Sequence, residues 1–409
     1  MNEMSHNQAE IIEIYCNIDQ ALENGDLQTA LAGLKQVQIL CGNDSVMLEG
    51  LVSYIHERVN SSLNQGLITG LEQLITLAEQ TVEQTGDHEL QLSLGSLKGR
   101  FYCETERYQE AAAVFADLVH EAEKLEWLEL AAEAWHGWGV AEHALANYRE
   151  AEAFLRKAAE YFGQVQRPQE QAYSLYMLGL VGLDAGTLES ALLAHEQAAA
   201  ILFRLGDNDE LARVWHEQSL CYLEQGLYEQ ALAKNDQVIQ FYRRQELDLT
   251  RPLVSRVGIL FALGAVEEAG QLLEESFVAE LEDDDSSIGE FLRLWRGILG
   301  AHTGQLKAAA EAVAASARVY RDWSDYNMEA ACCCLAGLYF WLDGAGEQAE
   351  AQWQSAVAEP GLRKTQPWLN GLLKRCLDRV IADYAGRDSD GDELEAKVCD
   401  AACRCGFVY

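Results

Sequence analysis

Ala134-Trp135-His136-Gly137-Trp138-Gly139, Ser174-Leu175-Tyr176-Met177-Leu178-Gly179 and Val214-Trp215-His216-Glu217-Gln218-Ser219 align without a gap. Trp135, Leu175 and Trp215 recur at a constant 40-residue step. The same step carries Tyr148 to Leu188 to Tyr228, and Ala111 through Ala151 and Ala191 to Ala231. Upstream, Gly99 and Tyr108 take the corresponding places, and Gly25 and Gly66 repeat the step with a single residue added. Downstream, Gly264, Gly304 and Gly344 keep the 40-residue step after one slightly shorter interval from Gly226. Nine units run from Gly25 to Gly344. Such a period marks a repeat architecture.

Within one unit the pattern is that of a helical hairpin. Trp215, Ser219 and Tyr222 fall at i, i+4 and i+7, one face of a helix. Gln225-Gly226-Leu227 breaks it, the glycine supplying backbone freedom for a tight turn. From Tyr228 to Phe241 a second helical pattern follows, with Ala231 small enough for close helix approach. One hairpin cannot bury both of its apolar faces, whereas stacked neighbours share a continuous core.

Trp215, Gly226, Tyr228 and Ala231 resemble the tetratricopeptide-repeat pattern, as do Trp135, Gly139, Tyr148 and Ala151. Other units match less fully, with Gly182 in place of a large aromatic and Gly346 in place of Tyr. The resemblance covers residues 8–358, and the 40-residue unit is similar to the long-repeat class of Pins-type scaffolds, bacterial peptide-sensing regulators and maltose-regulator-type signalling ATPases. It implies an all-α, right-handed superhelical solenoid of about nine helix hairpins. Trp368 to Tyr384 reads as an amphipathic helix that caps the array, within residues 359–385. Residues 386–409 hold a polar break, a short helix over Glu393 to Cys405 and a Cys-rich end, too little chain for an independent domain. With the repeats starting by about Gln8 and so few residues after them, neither a helix-turn-helix nor a catalytic domain is expected beside them.

Charge narrows the partners. Sixty-six Asp and Glu oppose 30 Lys and Arg, a net of −36, which repels phosphate backbones and anionic membranes. With 49% of residues hydrophobic, the chain is too apolar for an acidic disordered polymer. No Lys or Arg precedes Lys35, which argues against secretory and mitochondrial leaders. The apolar run Cys332 to Leu342 is about half of what crosses a bilayer. Eleven cysteines, three of them adjacent at Cys332, Cys333 and Cys334, suit reduced thiols in a cytoplasm.

Catalytic signatures are missing from the sequence: it has no phosphate loop, no G-x-S-x-G elbow and no H-E-x-x-H pair. Asp388-Ser389-Asp390-Gly391-Asp392 fails the spacing of a calcium loop. Cys399, Cys403 and Cys405 are weak candidates for a metal site, one ligand short unless Cys376 joins them, and packing thiols are the plainer reading. Neither a cofactor nor enzymatic activity is expected. The acidic stretch Glu282-Asp283-Asp284-Asp285 reads as a solvated connector, and Arg363-Lys364 with Lys374-Arg375 and Arg379 as a cap surface balancing nearby acids. The sharper alternatives are a docking site for a basic partner at the first and an acidic-partner or self-association site at the second.

The working surface is then the groove. The resemblance implies that repeat positions 2, 5, 9 and 12 of each first helix point into a concave face. Counted from Trp135 as position 4, these are Glu133, His136, Val140 and His143; then Tyr173, Tyr176, Leu180 and Leu183; then Arg213, His216, Leu220 and Leu223. One unit earlier they are Ser93, Ser96, Arg100 and Cys103. Arg100, His136, His143, Tyr173, Tyr176, Arg213 and His216 form the candidate peptide-binding set, while Trp135, Trp138 and Trp215 read as core. Lys and Asn are absent from these positions, which disfavours the clamp that grips chaperone C-termini. The function expected is a non-enzymatic scaffold or adaptor holding a protein or peptide segment with apolar anchors and basic flanks. The alternative is a peptide-sensing regulator that changes superhelical shape on binding.

Overall fold

The computed structural model describes residues 2–274, 287–356, 367–384, 391–405 and 407. Among them the regular elements are helices. They pair as α1 (Asn2–Glu23) with α2 (Leu27–Cys41), α3 (Ser45–Asn64) with α4 (Leu71–Thr85), and α5 (His88–Glu104) with α6 (Tyr108–Lys124). Next come α7 (Leu128–Ala144) with α8 (Tyr148–Gln164), α9 (Pro168–Asp184) with α10 (Leu188–Leu205), and α11 (Asn208–Glu224) with α12 (Tyr228–Arg244). The last hairpins are α13 (Thr250–Leu263) with α14 (Val266–Glu274), α15 (Ser287–His302) with α16 (Leu306–Asp322), and α17 (Tyr326–Leu342) with α18 (Gly346–Ala356). Two further helices follow, α19 (Pro367–Tyr384) and α20 (Gly391–Arg404).

The period has a simple origin. From α5 to α12 the helices are 17 residues long, α10 having one more, and three-residue connections join most of them. Two helices and two connections make the 40-residue unit. Each connection carries a left-handed residue, and Glu106, Glu126, Ala146, Gln166, Gly186, Gly206, Gly226 and Glu246 take φ values of 54–76°. After α5, the Glu106 amide donates to the Cys103 carbonyl at 3.1 Å and the Arg107 amide to the Tyr102 carbonyl at 2.8 Å. That pair of bonds satisfies carbonyls the helix end would leave orphaned. Glycine therefore marks only some of these turns, and the others hold a side chain in strained backbone.

A second constraint sets the helix spacing. Gly99, Gly139, Gly179, Gly297 and Gly337 each face one side chain of the second helix in their hairpin: Phe115, Leu155, His195, Val313 and Trp353 respectively. A Cβ at any of these glycines would come within 2.2–2.9 Å of that partner. Buried Ser219 and Asn235 hold the equivalent places in the α11–α12 hairpin, with Asn235 Nδ2 donating to the Pro252 carbonyl at 2.9 Å.

The chain divides into two compact units, Met1–Leu178 and Gly179–Tyr409. In the first, the odd-numbered helices α3, α5 and α7 pack side by side, each also against its even-numbered partner. Its core runs through Ile18, Leu34, Leu51, Ile55, Leu74 and Leu94 to Phe115 and Trp135. In the second, Phe261, Trp295, Tyr339 and Trp353 centre a core shared by α13 to α20. Trp135 is buried and stacks on Trp138 with ring centroids 5.4 Å apart, while half-buried Trp215 meets Phe241 edge-on, so all three tryptophans serve packing.

The amphipathic helix expected at 368–384 is α19. Leu369, Leu373, Cys376, Leu377 and Val380 are buried, and the helix packs against α15 and α17. Its polar side chains reach the ends of earlier first helices. Arg375 Nη2 donates to Glu224 Oε1 of α11 at 2.8 Å, both side chains being only 13% exposed. Arg379 lies against Gly264, His302 Nδ1 is 2.6 Å from Asp383 Oδ2, and the Tyr384 hydroxyl donates to the Ala301 carbonyl. Lys374 pairs with Asp378 and Arg379 with Asp383. The described part of the basic patch is thus spent on intramolecular acids, as its plainer reading holds. In α20, Leu394, Val398, Ala401, Ala402 and Cys405 are buried, whereas Cys403 is exposed. The tail thiols therefore diverge, and no group of three metal-ligating side chains occurs among the described residues. Glu282 to Asp285, Arg363-Lys364 and Asp388 to Asp390 lie outside the described residues.

Relieving one strained turn should stabilise the chain. Ala146 has a φ of 62°. Ala146→Gly removes a left-handed penalty of about 1–2 kcal/mol, partly offset by a more flexible unfolded chain. A net gain of roughly 0.5–1 kcal/mol is expected in urea unfolding followed by circular dichroism, and Gly226→Ala should lose about as much.

Candidate functional site

The 40-residue period stacks equivalent side chains one above another. Position 5 places His56, Ser96 and His136 in a row on α3, α5 and α7; position 9 does the same with Asn60, Arg100 and Val140. Around these rows the first unit opens a cavity of about 620 Å³. Its walls include Ser93, Ser96, Arg100, Cys103, Glu133, His136, Val140 and Tyr173, all groove positions read from the sequence, with Phe115 and Phe162 among the apolar lining.

Hydrogen bonds fix this lining. The Arg100 guanidinium donates to the side-chain carbonyls of Asn60 and Asn64, the latter at 3.0 Å. Arg167 is clasped by Glu129 and by Glu170, its Nε donating to Glu170 Oε1 at 3.1 Å. Ser174 Oγ donates to the Glu170 carbonyl at 3.0 Å and sits 2.9 Å from His136 Nδ1. A hydroxyl has one proton to give, so Nδ1 of His136 is the donor and Nε2 is left as an acceptor. Burial holds the His136 imidazole down at about 4, so it is neutral near pH 7. His56, 3.4 Å from Ser93 Oγ, is also lowered, by burial first and then by Arg100. Glu133 is raised, by removal from water first and then by the Glu129 charge.

The other candidates divide between this cavity's edge and other surfaces. Tyr173 is 52% exposed, with its ring 5.1 Å from His136 and stacked at 6.3 Å on Tyr176, so both tyrosines extend the cavity's aromatic edge. His143 instead meets the Tyr148 ring of its own hairpin at 6.0 Å, outside the cavity lining. Arg213, in the second unit, pairs with Glu210 at 3.2 Å. His216 lines a separate cavity of about 340 Å³ with Arg251, Val254, Ile288, Phe291, Tyr320 and Met328. Its imidazole is lowered to about 4 by burial and then by Arg251. Sequence reading missed His56, Asn60, Asn64 and Arg167. The signal for two of them was present, since one more repeat step upstream from Ser96 and Arg100 lands on His56 and Asn60.

No family model matches the chain, and no curated protein does. Solved structures do. The apo form of the quorum sensor NprR from B. thuringiensis superposes with a TM-score of 0.61 at 13% identity, covering 85% of this chain and 98% of that one. A Rap protein complexed with competence and sporulation factor gives 0.59 at 14%, covering 87% and 97%. The Rap conjugation gene regulator of plasmid pLS20, in complex with the Phr* peptide, gives 0.54 at 16%, covering 87% and 95%. The chain has the tetratricopeptide-repeat fold. At these identities the likeness carries the repeat architecture, and the contact of Asn60 with Arg100 shows how adjacent tetratricopeptide units bring equivalent positions together.

The neutral histidines give a pH signature. Folded His136 takes a proton only near pH 4, whereas in the unfolded chain it does so near 6.5. Between those values the unfolded state binds more protons, so stability falls as pH drops from 6.5 to 4 and the effect is complete below 4. His136→Gln should remove this contribution, so its stability relative to the parent should rise across that window in urea titrations. Glu217, pushed up to about 7 by burial, acts oppositely and loses stability as pH rises from 4.5 to 7.

Proposed function

We propose that this protein is a non-enzymatic adaptor or regulator that holds an extended peptide or protein segment in the first-unit cavity. The observation that carries this reading is the convergence of eight groove positions from α5, α7 and α9 on one cavity of about 620 Å³. A cavity of that size suits several side chains of a segment. The apolar lining of Phe115, Val140 and Phe162 offers anchors, and the net charge of −36 favours basic flanks and speeds their encounter. Arg100, His136, Tyr173 and Tyr176 are the contacts we assign in this unit, with His216 and Arg213 serving a second, smaller surface. Nucleic acid is not the partner we expect, given that charge. Buried adjacent thiols at Cys332, Cys333 and Cys334 favour a reducing, cytoplasmic setting, and no helix among the described residues is long and apolar enough to cross a membrane.

Between adaptor and regulator we favour the second. Two of the matched structures hold a bound factor or peptide, one of them a conjugation gene regulator, and each is covered nearly end to end. A regulator of this kind shifts between shapes by binding one of them more tightly.

The test is capture of partners by the tagged full-length protein beside two variants, Val140→Glu and His216→Glu, each checked for unchanged helicity. Loss of a captured segment with Val140→Glu alone, by about 30-fold or more in affinity, supports the first-unit cavity. Equal capture by all three overturns it. Small-angle scattering with the bound segment added as a synthetic peptide then separates the two roles: compaction marks the regulator, and an unchanged radius of gyration marks the adaptor.

A further inference from the structure

We infer that Glu133 is the cavity's receptor for a positively charged group, so that the bound segment presents an ammonium or guanidinium to α7. This deepens the proposed function and rests on the cavity being the binding site. The argument begins with the charges around it. Arg167 is already neutralised by Glu129 and Glu170. Arg100 has its guanidinium engaged by the amide oxygens of Asn60 and Asn64. His56 and His136 are held towards their neutral forms. Two lining carboxylates are then left over. Both are exposed, Glu104 at the last residue of α5 and Glu133 on the second turn of α7. Among the described residues Glu133 has no hydrogen-bond or ion-pair partner.

A carboxylate in this position is in a poor state when the cavity is empty. The surrounding helices take part of its hydration and Glu129 on the preceding turn repels it, which the Arg167 and Arg100 charges offset only in part. An incoming cation would compensate both losses, and charge pairs gain strength where water is partly excluded. The neighbouring Phe115 and Phe162 can cover the aliphatic stem of a lysine or arginine while its charged end remains at Glu133. An anionic group would instead confront Glu104, Glu133 and Glu170 with only Arg100 unengaged by carboxylate. Sequence pattern agrees at a coarser level, since Glu133 is the acidic member of the position-2 series Ser93, Glu133, Tyr173 and Arg213.

Positional-scanning heptapeptide libraries on the full-length protein test this, read by fluorescence anisotropy at about 150 mM salt to suppress long-range attraction. Each library fixes one residue as Lys, Arg or Glu, or as the neutral isosteres norleucine or citrulline, with free or acetylated amino termini. The proteins compared are the parent, Glu133→Gln, Arg100→Gln, Val140→Glu and Glu189→Gln, the last removing an equal charge in the second unit. The expected result is a preference of at least about 10-fold for Lys over norleucine or Arg over citrulline at one position. It should vanish in Glu133→Gln and survive in Glu189→Gln. If acetylation alone abolishes the preference, the cation is the segment's amino terminus rather than a side chain. A preference that persists in Glu133→Gln overturns the assignment, as does selection of Glu that disappears in Arg100→Gln; both leave the cavity reading intact. Selection unaffected by Val140→Glu, or no selection by the parent, overturns the cavity reading and the assignment with it.

Discussion

Everything in this molecule follows from helices that must stop after nearly equal lengths and turn at once. Between α5 and α13 the left-handed residue in each connection closes a hydrogen-bonded loop, as where the Arg107 amide meets the Tyr102 carbonyl. Repeating that device helix after helix puts side chains one full unit apart on equivalent faces. The glycine opposite a bulky partner on the second helix then fixes how closely the two helices of a hairpin lie. With direction and spacing both set, the row His56, Ser96, His136 is a geometric result. No separate instruction is needed to assemble the cavity wall.

Much of this could be read directly from the residues. The 40-residue recurrence of Trp135, Leu175 and Trp215 identifies the hairpin stack, and counting positions within it finds Arg100, Glu133, His136, Val140 and Tyr173 on one cavity. Turn placement was less legible, because Glu106 and Ala146 adopt the left-handed conformation that glycine advertises elsewhere. The helix spacing and the hydrogen bonds override the local preference there. Asn60 lies one 40-residue step above Arg100, beyond the units whose groove positions were counted, and Asn64 lies one turn further along α3, outside positions 2, 5, 9 and 12. His143 and Arg213 also occupy groove positions by number, the first beside the Tyr148 ring and the second, exposed, beside the Glu210 carboxylate.

The slot opposite the position-8 glycine also distinguishes the repeats from one another. Phe115, Leu155 and Val313 fill it with carbon and Trp353 with its indole edge, Nε1 nearest, whereas His195 and Asn235 fill it with a buried polar ring or amide. Polar atoms at that depth contribute less cohesion than a methyl or an aromatic edge would. Small apolar clusters lie between α9 and α13, Leu183 with Ala191 and Cys221, and Leu223 with Ala231 and Ile259. Larger cores run through α1–α8 and α12–α20.

The contact between Arg375 and Glu224 joins distant points of the chain. An ordinary repeat array behaves like beads that each touch only the next, so its ends can fray without disturbing the middle. Here the α19 helix ties the ends of α11 and α15 into one loop, and Gly371 is bare so that the Glu224 carboxylate can come that close. Losing that clasp uncovers a buried ion whose partner has gone. The hairpins it spans are thereby coupled into a single melting block, a cooperativity that nearest-neighbour stacking alone does not provide.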